Sequence, residues 1–135
     1  MLKEAGFTLI ELMLAIAISA ILIAISYPLY SDHQVKAERN RAEIALMQCA
    51  VRMEKYFSQH ASYRGATFTA LHAENVMSGL PYQLQITSAT QSHYQLQIIP
   101  TGAQKKRDLH CGTLSLSDTN ERSVSGDGNV MQCWM

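Results

Sequence analysis

The sequence predicts an α+β fold, in which one long N-terminal helix packs on an antiparallel β-sheet. Residues 7–30 form an almost continuous apolar run, and residues 31–60 carry apolar side chains at helical spacing. From Tyr82 onward, apolar and polar side chains alternate, which is typical of strands with one buried face. The chain therefore divides into a helix with two different halves and a C-terminal sheet region.

The first half of the predicted helix is long enough to cross a membrane. It reads FTLIELMLAIAISAILIAISYPLY, in which Glu11 is the single charged residue. A helix of this length rises about 36 Å, against roughly 30 Å for the hydrocarbon core of a bilayer. A secretory signal peptide has a shorter apolar run and a small-residue cleavage site after it, and that site is missing here. We therefore expect a retained membrane-spanning helix over residues 7–30, kinked at Pro28 because proline removes a backbone hydrogen bond.

The second half of the predicted helix, residues 31–60, is amphipathic. The apolar face consists of Val35, Ala42, Leu46, Cys49, Met53 and Tyr56. The opposite face consists of Glu38, Glu43, Arg52 and Lys55. We expect the apolar face to pack on the sheet, the polar face to contact solvent, and the helix to end near His60.

The sheet is predicted from two alternating segments and a shorter third one. Tyr82–Thr87 and Tyr94–Ile98 alternate on either side of a polar turn at residues 89–92, which predicts an antiparallel hairpin. A third strand is expected around Cys111–Ser117. Residues 61–81 are expected to form the loop that connects the helix to the sheet.

Composition argues against a nucleic-acid-binding protein and against an enzyme. The chain has 11 basic and 11 acidic residues, whereas a strong basic excess is typical of nucleic-acid proteins. The five histidines show no metal-ligand spacing, and no catalytic motif is found, so we expect no enzymatic activity, no cofactor and no metal. Lys105, Lys106 and Arg107 form the one basic run. We interpret it as a solvated turn between strands, with a DNA contact as the lesser alternative.

The heptapeptide that opens the apolar run, Gly6-Phe7-Thr8-Leu9-Ile10-Glu11-Leu12, resembles the class III signal of type IV pilins. The resemblance implies a leader peptide over residues 1–6, which prepilin peptidase removes between Gly6 and Phe7 before it methylates the new amine of Phe7. It also implies the pilin fold, in which the long helix packs on an antiparallel sheet of about four strands, with a periplasmic head over residues 31–135.

The resemblance further implies an orientation in the membrane. The leader of a pilin lies in the cytoplasm, so the chain would be a single-pass protein of the bacterial inner membrane before assembly and part of a cell-surface filament afterwards. The positive-inside count disagrees, because the leader offers only Lys3 while Lys36, Arg39 and Arg41 follow the span. We expect the orientation of the family, since its motif is more specific than this count.

Glu11 is the residue that physical chemistry singles out, because an acid within an apolar span needs a partner and usually marks function. One interpretation is that Glu11 lies among the lipid headgroups and stays hydrated. The other follows from cleavage, which would create a free amine on Phe7 and place Glu11 in the first helical turn, where negative charge is favoured. In the pilin family this acid neutralises the N-terminal amine of a neighbouring subunit during assembly, and the resemblance favours that role.

The chain contains three cysteines, Cys49, Cys111 and Cys133, and the residues alone leave the pairing open. A Cys111–Cys133 bond would stabilise a small exported domain by roughly 3 kcal/mol in the chain-entropy model. The Cys133-Trp134 ending resembles that of type IVa minor pilins, in which two cysteines bracket the variable D-region. The resemblance therefore implies this pairing and leaves Cys49 as a buried thiol on the apolar face.

The function that the resemblance implies is that of a structural subunit, a minor pilin of a type IV pilus. Its partners would be other pilins, prepilin peptidase and the inner-membrane assembly platform. Two alternatives are a pseudopilin of type II secretion and a DNA-receptor pilin for natural transformation. The DNA receptor would require a basic surface on the head, to which Lys105, Lys106 and Arg107 would contribute.

Overall fold

The computed structural model describes residues 6–134, so residues 1–5 of the predicted leader and Met135 lie outside the described part. The elements in chain order are α1 (Leu9–His60), β1 (Tyr82–Ala89), β2 (Tyr94–Pro100), α2 (Gly102–Arg107), β3 (Leu114–Ser117), β4 (Arg122–Val124) and α3 (Val130–Cys133). The four strands form one antiparallel sheet in the order β1-β2-β3-β4. The predicted α+β fold, with one long helix and a four-stranded sheet, is confirmed.

The N-terminal unit of the chain ends at Gln34, and α1 is helical throughout its part of that unit. Its large apolar side chains are exposed from Phe7 to Tyr30, and the helix is long and apolar enough to cross a membrane. Pro28 lies inside α1 without ending it, so the helix absorbs the missing backbone donor. The kink at Pro28 stays a prediction.

The second unit, which we call the head, begins at Val35. Its part of α1 buries the predicted apolar face through Ala42, Leu46, Cys49 and Met53, and the helix ends at His60 as expected. The core also includes residues of the 61–81 loop, namely Tyr63, Ala66, Leu71 and Ala73.

The prediction for the opposite face of α1 was wrong at Glu43, whose side chain is 1% exposed rather than in solvent. Arg39 is also buried, at 4% exposure. The physical reason is that α1 packs against both the sheet and the connecting loop. The buried arc of the helix is therefore wider than the stripe that a single packing partner requires.

The predicted hairpin is present, with Leu84 opposite Ile98 and Ile86 opposite Leu96. One face of each strand is buried, which places Tyr82, Leu84, Tyr94, Leu96 and Ile98 in the core. The third strand begins at Leu114, three residues later than the earliest predicted position. Gly112 has a φ of +64°, so the chain still turns before it enters β3.

The basic run was expected in a turn, and this was wrong, because Lys105, Lys106 and Arg107 form the last turn of α2. The helix follows Thr101, which has an extended backbone, and starts at Gly102. It ends where the amide of Asp108 donates to the Gln104 carbonyl oxygen at 2.8 Å. Six residues form fewer than two helical turns, which is too short for a helical period to be recognised in the sequence.

Candidate functional site

The N-terminal signal residues lie at the start of α1, where Thr8 and Glu11 form a reciprocal helix cap. Glu11 Oε2 accepts hydrogen bonds from the Thr8 amide and from Thr8 Oγ1, both at 2.8 Å. The Glu11 amide donates to Thr8 Oγ1 at 3.4 Å. This is a capping box, which satisfies helix N-terminal donors through the side chains of a Thr-x-x-Glu segment. Sequence reasoning missed it, although the Thr8–Glu11 spacing is visible in the chain.

The capping box adds a local partner for Glu11, whether the residue lies hydrated among the headgroups or pairs with the amine of a neighbouring subunit. Its carboxylate already has partners within its own chain, so it is not an unpaired acid before assembly. Gly6 and Phe7 precede the box, and Phe7 is 92% exposed. The three predicted signal residues thus lie together at the exposed start of α1.

The predicted disulfide is present between Cys111 and Cys133, whose Cα atoms are 5.6 Å apart. It encloses the segment that contains β3, β4 and most of α3. Trp134 follows it directly and is buried; its Nε1 donates to the Ser123 carbonyl oxygen at 3.3 Å. The Arg122 guanidinium lies 5.2 Å from the centre of the same ring, within cation–π range.

Two further observations concern the cysteines and their loop. Cys49 is a free, fully buried thiol, and burial raises its pKa to about 11, which makes it unreactive at neutral pH.

The loop beside the disulfide is held by a backbone hydrogen bond, in which the Gly128 amide donates to the His110 carbonyl oxygen at 2.7 Å. A Cβ at Gly126 would overlap that same carbonyl, so the loop approaches Cys111 as closely as only glycine allows.

A buried polar cluster, which we call the anchor network, joins α1, β1 and α2. It consists of Arg39, Tyr82, Gln104 and Asp108. Arg39 Nη1 lies 2.9 Å from Asp108 Oδ1, and both side chains are at most 5% exposed. Tyr82 Oη donates to Asp108 Oδ2 at 3.0 Å, and Gln104 Nε2 donates to Tyr82 Oη at 2.9 Å. The Asp108 carboxylate therefore has a neutral hydrogen-bond donor beside its cation, as a buried ion pair requires, whereas the buried Nε of Arg39 has no hydrogen-bond partner among the described residues.

The anchor network extends in two directions. Gln104 Nε2 also donates to the Val35 carbonyl oxygen at 3.0 Å, which ties α2 to the first turn of α1 within the head. Arg39 contacts Cys111 Sγ, so the network also reaches the disulfide. Sequence reasoning missed this cluster, but one signal was present: Arg39 lies on the apolar stripe, between Val35 and Ala42.

The basic run is displayed outward from this anchor. Lys105, Lys106 and Arg107 are exposed, while their neighbours Gln104 and Asp108 are buried. Within residues 6–134, no carboxylate lies within ion-pair distance of these three cations. The three charges are therefore available to an external anion.

A second group of cations lines a cleft of about 400 Å³ between the later turns of α1 and the connecting loop. The lining residues are Arg52, Lys55, Tyr56, Gln59, Ala70, Leu71 and His72, and none is acidic. Arg52 Nη1 contacts the carbonyl oxygens of Leu71 and His72, which fixes the loop against the helix. Tyr56 Oη donates to the Arg64 carbonyl oxygen at 3.1 Å, so Arg64 borders the same region. No group of three or more metal-ligating side chains occurs within residues 6–134.

The helix with its apolar N-terminal half, the antiparallel sheet and the disulfide-bounded C-terminal segment define the type IV pilin fold. The solved structure of the non-core minor pilin PilV of Neisseria meningitidis shares this fold, with a TM-score of 0.55 and 17% sequence identity. The match covers 70% of this chain and 89% of that one.

Sequence comparison identifies the family within that class. Residues 28–115 match the family described as type IV minor pilin ComP, DNA uptake sequence receptor, and residues 1–27 match the prokaryotic N-terminal methylation motif. The chain belongs to this family of type IV minor pilins. The interpretation of the sequence as a minor pilin is therefore confirmed.

Two curated relatives are fimbrial proteins. The fimbrial protein EcpB of Eikenella corrodens is 63% identical over 41 residues, which are 30% of this chain and 26% of that protein. A fimbrial protein of Neisseria meningitidis serogroup B is 34% identical over 67 residues, 50% of this chain and 39% of that protein. The matched segments thus span less than half the length of these relatives.

Proposed function

We propose that this minor pilin is made as an inner-membrane precursor, cut and N-methylated by prepilin peptidase between Gly6 and Phe7, and then incorporated into a type IV filament. The match of residues 1–27 to the methylation motif supports the processing step. The exposed apolar side chains from Phe7 to Tyr30 support both stages, because lipid can cover them before assembly and neighbouring pilin helices afterwards. The head would lie in the periplasm, and the assembly platform would deliver the subunit to the filament.

Gly6→Val should leave the precursor uncut, because a β-branched side chain would occupy the residue at the cleavage site where the motif has glycine. The expected result is an intact precursor in the membrane fraction, whereas the wild-type chain begins at N-methyl-Phe7. Intact-mass and N-terminal mass spectrometry measure both. Ala5→Val is the matched control and should be cut normally; a wild-type mature chain that begins elsewhere than Phe7 would contradict the proposal.

We further propose that the head binds duplex DNA through the cationic cleft. The observation that carries this proposal is the match of residues 28–115 to a family described as a DNA uptake sequence receptor. Because the net charge of the chain is zero, a DNA surface must be local rather than spread over the head. The cleft offers Arg52 and Lys55 with Arg64 at its border, and its lining includes no carboxylate to repel phosphate.

The double variant that carries both Lys55→Gln and Arg64→Gln should bind DNA more weakly, and its binding should depend less steeply on salt concentration. Each lost phosphate contact makes the slope of log K against log salt concentration about 0.9 less steep for B-form DNA. Fluorescence anisotropy with the full chain in detergent micelles, at several salt concentrations, measures this slope. Lys36→Gln, an exposed lysine outside the cleft, is the matched control. An unchanged slope in the double variant would disprove DNA binding at the cleft.

A further inference from the structure

The basic run on α2 lies beside the first residues of the head, Val35 and Arg39. Gln104, directly before Lys105, donates to the Val35 carbonyl oxygen at 3.0 Å. At the other end of the run, Asp108 is held by Arg39 at 2.9 Å. The backbone of α2 is therefore fixed at both ends beside residues 35–39, and its three cations extend from that position.

The separation between this anchor and the membrane is limited by chain length. Val35 follows Tyr30, the last residue of the apolar run, by five positions. That segment spans at most about 17 Å if extended and about 7.5 Å if helical. The headgroup layer on each side of the bilayer is about 5 to 7 Å thick. Tyr27 and Tyr30 are exposed, and tyrosines at the end of an apolar span are typical of the membrane–water interface. Since Gln104 is bonded to Val35, a chain that leaves the membrane after Tyr30 can bring the side chains of α2 to the headgroups.

We propose that Lys105, Lys106 and Arg107 bind the phosphate groups of anionic phospholipids while the subunit is in the membrane. Within residues 6–134 these three cations have no carboxylate within ion-pair distance, so anionic lipid in the periplasmic leaflet, on the side where the head is proposed to lie, would attract them. Asp108, the acid that directly follows α2, is buried and paired with Arg39. This inference rests on the proposed membrane placement of residues 7–30, and it is independent of DNA binding at the cleft.

Lipid binding would have a consequence for assembly. The contact with lipid must break when the subunit moves into a filament. The basic run would then become accessible only after extraction from the membrane. Duplex DNA carries the same phosphodiester chemistry as a lipid headgroup, so the experiment must separate these two sources.

The test uses the full chain reconstituted in vesicles of phosphatidylcholine alone or of phosphatidylcholine with phosphatidylglycerol. Lysine acetylation, followed by mass spectrometry, measures the accessibility of each lysine. We expect acetylation of Lys105 and Lys106 to slow about fivefold in the anionic vesicles, and to recover at high salt. Lys55, in the cleft, is the internal control and should react at the same rate in both vesicles. Arg107→Gln should reduce the protection of both lysines, whereas the matched variant Arg64→Gln should not.

The outcomes separate this inference from the proposals on which it depends. Equal acetylation in both vesicles, with the protein resistant to alkaline extraction, would overturn lipid binding and leave the membrane placement intact. Release of the protein by alkaline extraction would overturn the membrane placement itself. Protection of Lys105 and Lys106 by added duplex DNA in neutral vesicles, without protection by anionic lipid, would overturn the lipid inference and assign the run to DNA.

Discussion

Replacing Arg39 by Met should lower the free energy of unfolding of the head by about 3 to 5 kcal/mol, the cost of breaking a buried ion pair from one side. The substitution preserves much of the side-chain volume but leaves the Asp108 carboxylate, at 3% exposure, without its cation. Tyr82 would still donate a hydrogen bond to it, but this neutral group supplies no compensating charge. Urea unfolding of the detergent-solubilised chain, followed by the fluorescence of its single tryptophan, Trp134, measures the change.

Two further variants isolate the cause of that loss. Adding Asp108→Asn to Arg39→Met removes the orphaned charge and should recover part of the stability, because two neutral groups are cheaper to bury than one unpaired charge. Arg41→Met is the matched control, since Arg41 pairs with Glu38 at 3.2 Å on the surface and such pairs contribute about 1 kcal/mol or less. A loss equal to that of Arg41→Met would show that the anchor network does not stabilise the head.

The anchor network also illustrates what sequence patterns cannot reveal. The apolar stripe of α1 and the alternation in β1 and β2 are local periodic signals, so both elements were predicted from the chain. The ion pair joins residues 69 positions apart, and no local pattern relates Arg39 to Asp108. Asp108 is harder still to recognise as the partner, because it directly follows three cations and so resembles part of a surface segment. The cation on an otherwise apolar stripe was the signal that sequence reasoning overlooked.

The candidate sites also differ in how far the sequence alone predicts them. Gly6, Phe7 and Glu11 lie within one short motif, so the sequence was sufficient to predict a signal there. The cleft joins Arg52 and Lys55 of α1 to His72 of the loop, and only the folded chain brings them together. The disulfide falls between these cases, because three cysteines allow several pairings and only the resemblance favoured the one that the structure contains.

Glu11→Val should yield a stable, correctly cleaved protein that stays in the membrane and is nearly absent from sheared filaments. In a filament, the proposed partner of the carboxylate is the Phe7 amine of a neighbouring subunit. Removal of Glu11 would leave that amine in an apolar core without a counter-charge, which is unfavourable. Immunoblots of the membrane and sheared fractions measure the distribution.

The capping box complicates this experiment, because Glu11→Val removes both the negative charge and the cap of α1. Two further variants separate these effects. Glu11→Gln keeps a side chain that can complete a capping box but carries no charge, and Thr8→Ala removes the hydroxyl of the box but keeps the charge. If the charge is what assembly requires, Glu11→Gln should be as depleted from filaments as Glu11→Val, while Thr8→Ala should enter them at close to wild-type amounts. Normal incorporation of Glu11→Gln together with loss of Thr8→Ala would show instead that the residue acts by starting the helix, and the proposed pairing with a neighbouring amine would be wrong.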